Sequence, residues 1–381
     1  MRIAVVVSLV ACLATGCASA PPPSPEALLA DRLFAAPREA VRIDDVFAPS
    51  EAMRAFLHDD IAAQLRREGP QQGLAKALQT RAQLKLEYDA ARTRNAAATF
   101  DARSGNCLAL VILTAAMAKE LHLSVTYQSV RVEESWSRNG ALLIASGHVN
   151  VTLGQRLVDL RSSRDMSTLT IDFLPPEQIA GLRTHEIGED TVVAMYANNR
   201  AAEALAEGRL DDAYAWAAAS VRKDPRFGNA LNTLGVVYLH HGDLGEASRV
   251  FEHVLAGDPR DTRALANLAL AYERQGRTAQ AEVTRTRLAA LEPYPPFYFF
   301  QLGMAAVERD DWRTARELFA REVARADNHE FHFWLGVADW RLGDEAAARR
   351  HLALAIDNSV TRGQHDLYAA KLAWLQAHRR Q

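Results

Sequence analysis

Basic charge is not in excess in this chain, cysteine is scarce, and the apolar run near its start is too short to cross a bilayer. The 381 residues carry 44 Lys and Arg against 47 Asp and Glu, a net charge of -3. Without an electropositive field there is nothing to gather a nucleic-acid backbone, and no nucleic-acid partner is expected. Three cysteines, Cys12, Cys17 and Cys107, leave little scope for a disulfide framework. The histidines of His240-His241 and His329 to His332 come without a matching carboxylate or thiol pattern, so no metal or other cofactor is expected. The length is enough for two or three cores.

What is present begins with Arg2, the apolar stretch Ile3 to Leu13, and then Ala14-Thr15-Gly16-Cys17. This arrangement resembles a bacterial lipoprotein signal, although Ala14 stands where such signals usually have Leu, and Leu13 is one place early. The resemblance implies that residues 1–17 are a signal ending at a lipidated Cys17, and that the chain is a membrane lipoprotein facing the periplasm, at the outer membrane. Cys12 would leave with the signal. Cys107 would then be the one thiol left in an oxidising compartment, where cysteines kept for stability are normally paired. Ala20-Pro21-Pro22-Pro23-Ser24-Pro25 reads as an extended spacer. With the helical pattern of Pro25 to Phe34 it makes 18–48 a tether and first helix.

Further helical periodicity covers Ser50 to Leu65, with Ser50 as a cap before Glu51, and Leu74 to Leu86. The stretch Arg103-Ser104-Gly105-Asn106-Cys107 then runs into the apolar series Leu108 to Leu121. This predicts a loop closing onto a buried helix with Cys107 in the first turn, where the helix dipole favours a thiolate. A small buried hydrophobe is the plainer reading of the same cysteine. Beyond the helix the period becomes alternating. Ser124 to Val132 reads as a strand, and Trp136 falls in a polar connection. Gly147 to Leu153 and Arg156 to Leu160 read as a hairpin across Gly154-Gln155, followed by a strand from Thr168 to Phe173. One helix followed by antiparallel strands is an α+β unit, assigned to 49–185.

Arg-x-Gly-x-Cys opening a helix, then His148 at the start of a strand, then an Asp at the end of a later strand, resembles the transglutaminase-like fold of papain-like thiol enzymes. The resemblance implies Cys107 as nucleophile, His148 as its proton acceptor, and an Asp that orients the imidazole. Asp172, shortly before Pro175-Pro176, is the preferred acid, and Asp159, on the expected hairpin, is the alternative. Two departures stand out. Val149-Asn150 follows His148 where many members have Ala-Trp, and no tryptophan precedes Cys107 to help hold an oxyanion. The Cys107 N–H and the Gln128 side chain are the candidates for that task.

From about Thr191 the strands give way to a 34-residue period: Gly208, Gly242 and Gly276; Ala213, Ala247 and Ala281; Pro225, Pro259 and Pro293. Leu234-Gly235 with Tyr238, and Leu268-Ala269 with Tyr272, occupy the first-helix positions. The pattern is similar to the tetratricopeptide repeat, continuing less regularly through Leu302-Gly303, Ala315, Leu335-Gly336 and Ala348. It predicts an all-α solenoid over 190–381, with about five repeats and a capping helix at His365 to Gln376. The aromatic cluster Tyr294 to Phe300 either packs a repeat junction or offers stacking surface to a partner.

Two functions are consistent with these residues. One is a membrane-anchored periplasmic thiol enzyme that hydrolyses or transamidates amides and recruits a protein or peptide in the repeat groove. The other is a non-catalytic lipoprotein scaffold that acts through the repeats alone.

Overall fold

The computed structural model describes residues 24–377, apart from 81–83, 85, 91, 140–141, 157–167, 174–182 and 360. Cys17 with the rest of the expected signal, and Asp159, lie outside the described residues. No helix among the described residues is long and apolar enough to cross a membrane.

Short helices open the fold: α1 (Glu51–Ala55), a π turn (Phe56–Asp60), α2 (Ala62–Glu68) and α3 (Pro70–Gln79). Ser50 caps α1, its Oγ accepting from the Met53 N–H at 3.2 Å. α3 stops at Gln79, short of the expected Leu86. Leu84 and Leu86 instead turn back on it, their N–H groups donating to the carbonyls of Ala77 and Leu78. α4 (Ala96–Ala102) leads to α5 (Cys107–Glu120). Every residue of α5 from Leu108 to Ala118 is buried, which explains why it is apolar on all sides rather than along one stripe.

α5 packs against a four-stranded antiparallel sheet in the order β5-β4-β3-β6, made of β3 (Leu123–Asn139), β4 (Leu142–Arg156), β5 (Leu169–Ile171) and β6 (Arg183–Ile187). A small parallel pair, β1 (Glu87–Tyr88) with β2 (Ser104–Gly105), lies beside the start of α5. Two sequence expectations are corrected here. Gly154-Gln155 is no turn: β4 runs through it, with Leu153 opposite Val125 and Arg156 opposite Leu123. A Cβ at 154 would press on the Ser124 Oγ, the end of a side chain that can turn aside. Trp136 lies within β3, opposite Ala145, rather than in a connection.

Antiparallel helix pairs follow: α6 (Glu189–Ala206) with α7 (Leu210–Lys223), α8 (Gly228–His241) with α9 (Leu244–Gly257), and α10 (Thr262–Arg274) with α11 (Thr278–Leu291). α12 (Tyr298–Glu308) pairs with α13 (Trp312–Val323), and α14 (His329–Arg341) with α15 (Glu345–Asp357). α16 (Arg362–Ala377) covers the end of the stack. These helix pairs and the terminal helix make the C-terminal half the all-α solenoid expected there. Gly208, Gly242 and Gly276 take left-handed φ values of 73°, 99° and 75° where each first helix turns into its second. In the fourth pair Asp310 takes that conformation without glycine, at φ 58°. Pro225, Pro259 and Pro293 each lie two residues past the end of the second helix.

Pro25 to Phe34 is not a regular helix but two 3-10 turns, Pro25–Leu28 and Asp31–Leu33. The segment is strapped onto the first repeats, whose side chains take its polar groups in place of helical bonds. Tyr238 donates to the Leu28 carbonyl at 2.9 Å, and Arg222 grips the Asp31 carboxylate at 2.8 and 2.7 Å. Tyr214 donates to the same carboxylate at 2.8 Å, and its ring stacks on Phe34 at 4.0 Å between centroids. One apolar core therefore runs from Leu28 through the α+β part into the repeats as far as Ala281.

A second core begins at the aromatic cluster, where Phe297, Phe300, Phe319 and Phe331 are buried together. Glu322, itself buried, accepts from the N–H groups of Phe299 and Phe300 at 2.8 and 3.3 Å. The cluster is mainly a packed junction, with Tyr294 and Tyr298 left exposed.

Candidate functional site

Cys107 is the first residue of α5, and its side chain is half-buried. Asn106 caps the helix, its Oδ1 accepting from the Ala109 N–H at 2.9 Å. Gly105 is there because nothing larger fits. A Cβ would meet the Ala109 Cβ at 2.8 Å and the Thr99 Cγ2 at 3.2 Å.

His148 lies on β4 with 4 % of its surface exposed. Its Nε2 is 2.7 Å from the Asp172 Oδ1. The pairing of Val151 with Ile171 and Thr152 with Thr170, carried on by one residue, sets Asp172 beside Asn150. Asn150 accordingly donates to the other carboxylate oxygen, Oδ2, at 3.2 Å. With Nε2 engaged by Asp172, Nδ1 is the ring nitrogen left for the thiol. It is buried and without a hydrogen bond of full geometry, as is Asn150 Oδ1. Burial by itself would push the His148 pKa down; the bond to Asp172, together with the adjacent Cys107 side chain, outweighs it and raises the ring to about 9.

The three side chains brought together are thus Cys107, His148 and Asp172. Gln128 lies opposite Asn150 on β3, on the same face of the sheet. Sequence reasoning missed Tyr88. It lies opposite Gly105 in the β1-β2 pair, two residues from the thiol, and its hydroxyl reaches the Cys107 side chain. Although 45 % of the residue is exposed, desolvation together with the neighbouring Cys107 and the charge of Asp89 holds the phenol well above the usual range. A two-residue strand gives no alternating pattern to find. Thr93 was missed as well. Its hydroxyl accepts from Asn106 Nδ2 at 2.8 Å, and its N–H donates to Glu203 of α6 at 2.6 Å, so the cap of the cysteine helix is tied to the first repeat.

Among the described residues, no group of three His, Cys, Asp or Glu is placed to hold a metal ion. His332 does have carboxylate company that its spacing did not announce: Nε2 lies 2.6 Å from Asp327, and Nδ1 lies 3.1 Å from the His351 Nδ1.

Two family models, both described as tetratricopeptide repeat, match residues 238–293 and 300–359. No curated protein matches the chain. Among solved structures, a thermophilic repeat protein of Thermus thermophilus is 17% identical, covering 49% of this chain and 100% of its own, with a TM-score of 0.30. PilF of Pseudomonas aeruginosa is 18% identical over 49% of this chain and 85% of its own, at a TM-score of 0.29. YrrB, described as a repeat protein with an unusual peptide-binding site, is 21% identical over 47% of this chain and 92% of its own, at 0.26. The assignment rests on the family models and on the helix pairs themselves: the C-terminal half carries tetratricopeptide repeats.

Proposed function

We propose that the chain is a repeat scaffold that presents a protein or peptide to a thiol acyl-transfer centre built from Cys107, His148 and Asp172. The repeat match supports the scaffold part, because such arrays bind protein partners along their stacked helices. The catalytic part is supported by side-chain geometry alone, and one observation carries it: a buried imidazole held at 2.7 Å by a carboxylate, with its other nitrogen unbonded and a helix-opening cysteine beside it. The arrangement is similar to that of transglutaminase-like thiol enzymes.

In this reading His148 takes the Cys107 proton on Nδ1 while Asp172 stabilises the resulting imidazolium from Nε2. The sulfur attacks an amide carbonyl, the imidazolium protonates the leaving nitrogen, and water or an amine opens the thioester. A lipid on Cys17 would hold the protein at the outer membrane, facing the periplasm. The rival reading, a scaffold without chemistry, is favoured by the family matches, both of which fall within the repeats.

Acylation by p-nitrophenyl acetate tests the proposal. Wild-type protein should release a stoichiometric burst of nitrophenol with an acetyl group retained on Cys107, and Cys107→Ala should give none. No burst from the wild type, or an equal burst from Cys107→Ala, leaves the scaffold reading.

A further inference from the structure

We propose that the Tyr88 hydroxyl, together with the Cys107 N–H, forms the oxyanion-binding pair of this centre. The inference rests on the thiol reading above and gives that site a residue that no sequence pattern indicated.

The placement follows from backbone geometry. The Glu87 N–H donates to the Arg103 carbonyl at 2.9 Å, and the Asp89 N–H donates to the Gly105 carbonyl at 3.0 Å, so Tyr88 is clamped on both sides against the loop that opens α5. Arg94 reinforces the clamp, its Nη1 lying 3.1 Å from Asp89 and 3.3 Å from the Ser104 carbonyl. Tyr88 is thereby fixed with its hydroxyl on the Cys107 side chain. As the first residue of α5, Cys107 has an N–H with no carbonyl one turn back to accept it. Nearby the buried His148 turns Nδ1 toward the same sulfur, so ring and hydroxyl both border the place where a carbonyl would be attacked.

When Sγ bonds to a carbonyl carbon, the π pair moves onto the oxygen, which then lies one carbon away from the sulfur beside which the Tyr88 hydroxyl is placed. A hydroxyl able to reach Sγ can turn to that oxygen. Two donors, one backbone and one side chain, then stabilise a charge absent from the free substrate. On collapse the pair returns to the carbonyl, the C–N bond breaks, and His148 supplies the proton to the departing nitrogen. The phenol resists ionisation, so it remains a donor throughout the working pH range. This also supplies a donor in a chain with no tryptophan ahead of Cys107.

The test compares two reactions of the same sulfur in the full chain, before and after Tyr88→Phe. Acylation by p-nitrophenyl acetate passes through an oxyanion, whereas alkylation by iodoacetamide does not. Tyr88→Phe should slow acylation by roughly 100-fold and leave alkylation within about threefold of wild type, the preserved alkylation showing that the site is still assembled. Equal acylation rates in variant and wild type would overturn the inference while leaving the thiol reading intact. Equal losses in both reactions would also overturn it, because Tyr88 would then act on the sulfur rather than on the oxyanion. Failure of the wild type to acylate would remove the thiol reading itself.

Discussion

The imidazole of His148 and the carboxylate of Asp172 meet at 2.7 Å across 24 residues of chain, because β5 lies alongside β4 and ends where β4 passes His148. Asn150 fastens the far carboxylate oxygen, so the acid is held from two sides. A carboxylate fixed in this way stabilises positive charge on the ring.

Replacing that acid tests the arrangement. In Asp172→Asn, burial is no longer offset from Nε2, and the ring should bind its proton far less tightly than at the present value of about 9. Iodoacetamide alkylation at pH 6.5 should slow by roughly 10- to 100-fold. Stability should respond with a defined sign. A folded-state value of about 9 lies above the ordinary 6.5, so the ring's contribution is complete below pH 6.5 and is lost as the pH rises through 9. Urea midpoints of the wild type should fall across that window by an amount equivalent to at most about 3 kcal/mol, and those of Asp172→Asn should be flatter.

The repeat interfaces predict a steric effect. A Cβ on Gly235 would meet the buried Phe251 ring at 2.5 Å, and one on Gly303 would meet Phe319 at the same distance. Each Gly→Ala change should therefore destabilise by about 1–3 kcal/mol, despite the better helix propensity of alanine. Denaturant melts of the two single variants measure this.

The strap gives a third expectation. Phe34 lies flat on Tyr214, the planes 3° apart, and is also in contact with Tyr238 and His241. Phe34→Ala should cost about 2 kcal/mol and expose residues 25–39 to limited proteolysis. Unchanged digestion would mean that the polar contacts of Asp31 hold the strap without the ring.

Thr93 links the cysteine helix to the repeats. Thr93→Val leaves the Asn106 amide without its 2.8 Å acceptor while keeping the N–H that bonds to Glu203. It should cost about 1–2 kcal/mol and lower the Cys107 alkylation rate severalfold, because the Asn106 cap is no longer held. Alkylation at the wild-type rate would separate the cap from the reactivity.

Much of this was legible in the residues, for physical reasons. The repeats were, because Gly208, Gly242 and Gly276 and the prolines each mark a backbone conformation that few other residues supply. The fourth repeat was less so, since Asp310 adopts the glycine conformation without being glycine. Cys107 as a helix opener was signalled by Gly105, a packing necessity, and by the apolar run that follows the cysteine; the cap at Asn106 emerged only with the structure. Gly154 misled because a Gly-X pair inside a continuous strand looks, in sequence, like one at a turn. Tyr88 and Thr93 make their tertiary contacts from a two-residue strand and a connecting loop, where no period exists to reveal them.

The account depends on His148 acting on Cys107, and the pH profile of iodoacetamide alkylation tests this most directly, measured on the wild type and on His148→Ala. If Nδ1 holds the proton taken from the thiol, alkylation of His148→Ala falls at least tenfold below that of the wild type at pH 6, and the two rates converge as the pH rises past about 9. Two superimposable profiles, both rising through the range of an ordinary thiol, would contradict the account and leave a repeat scaffold.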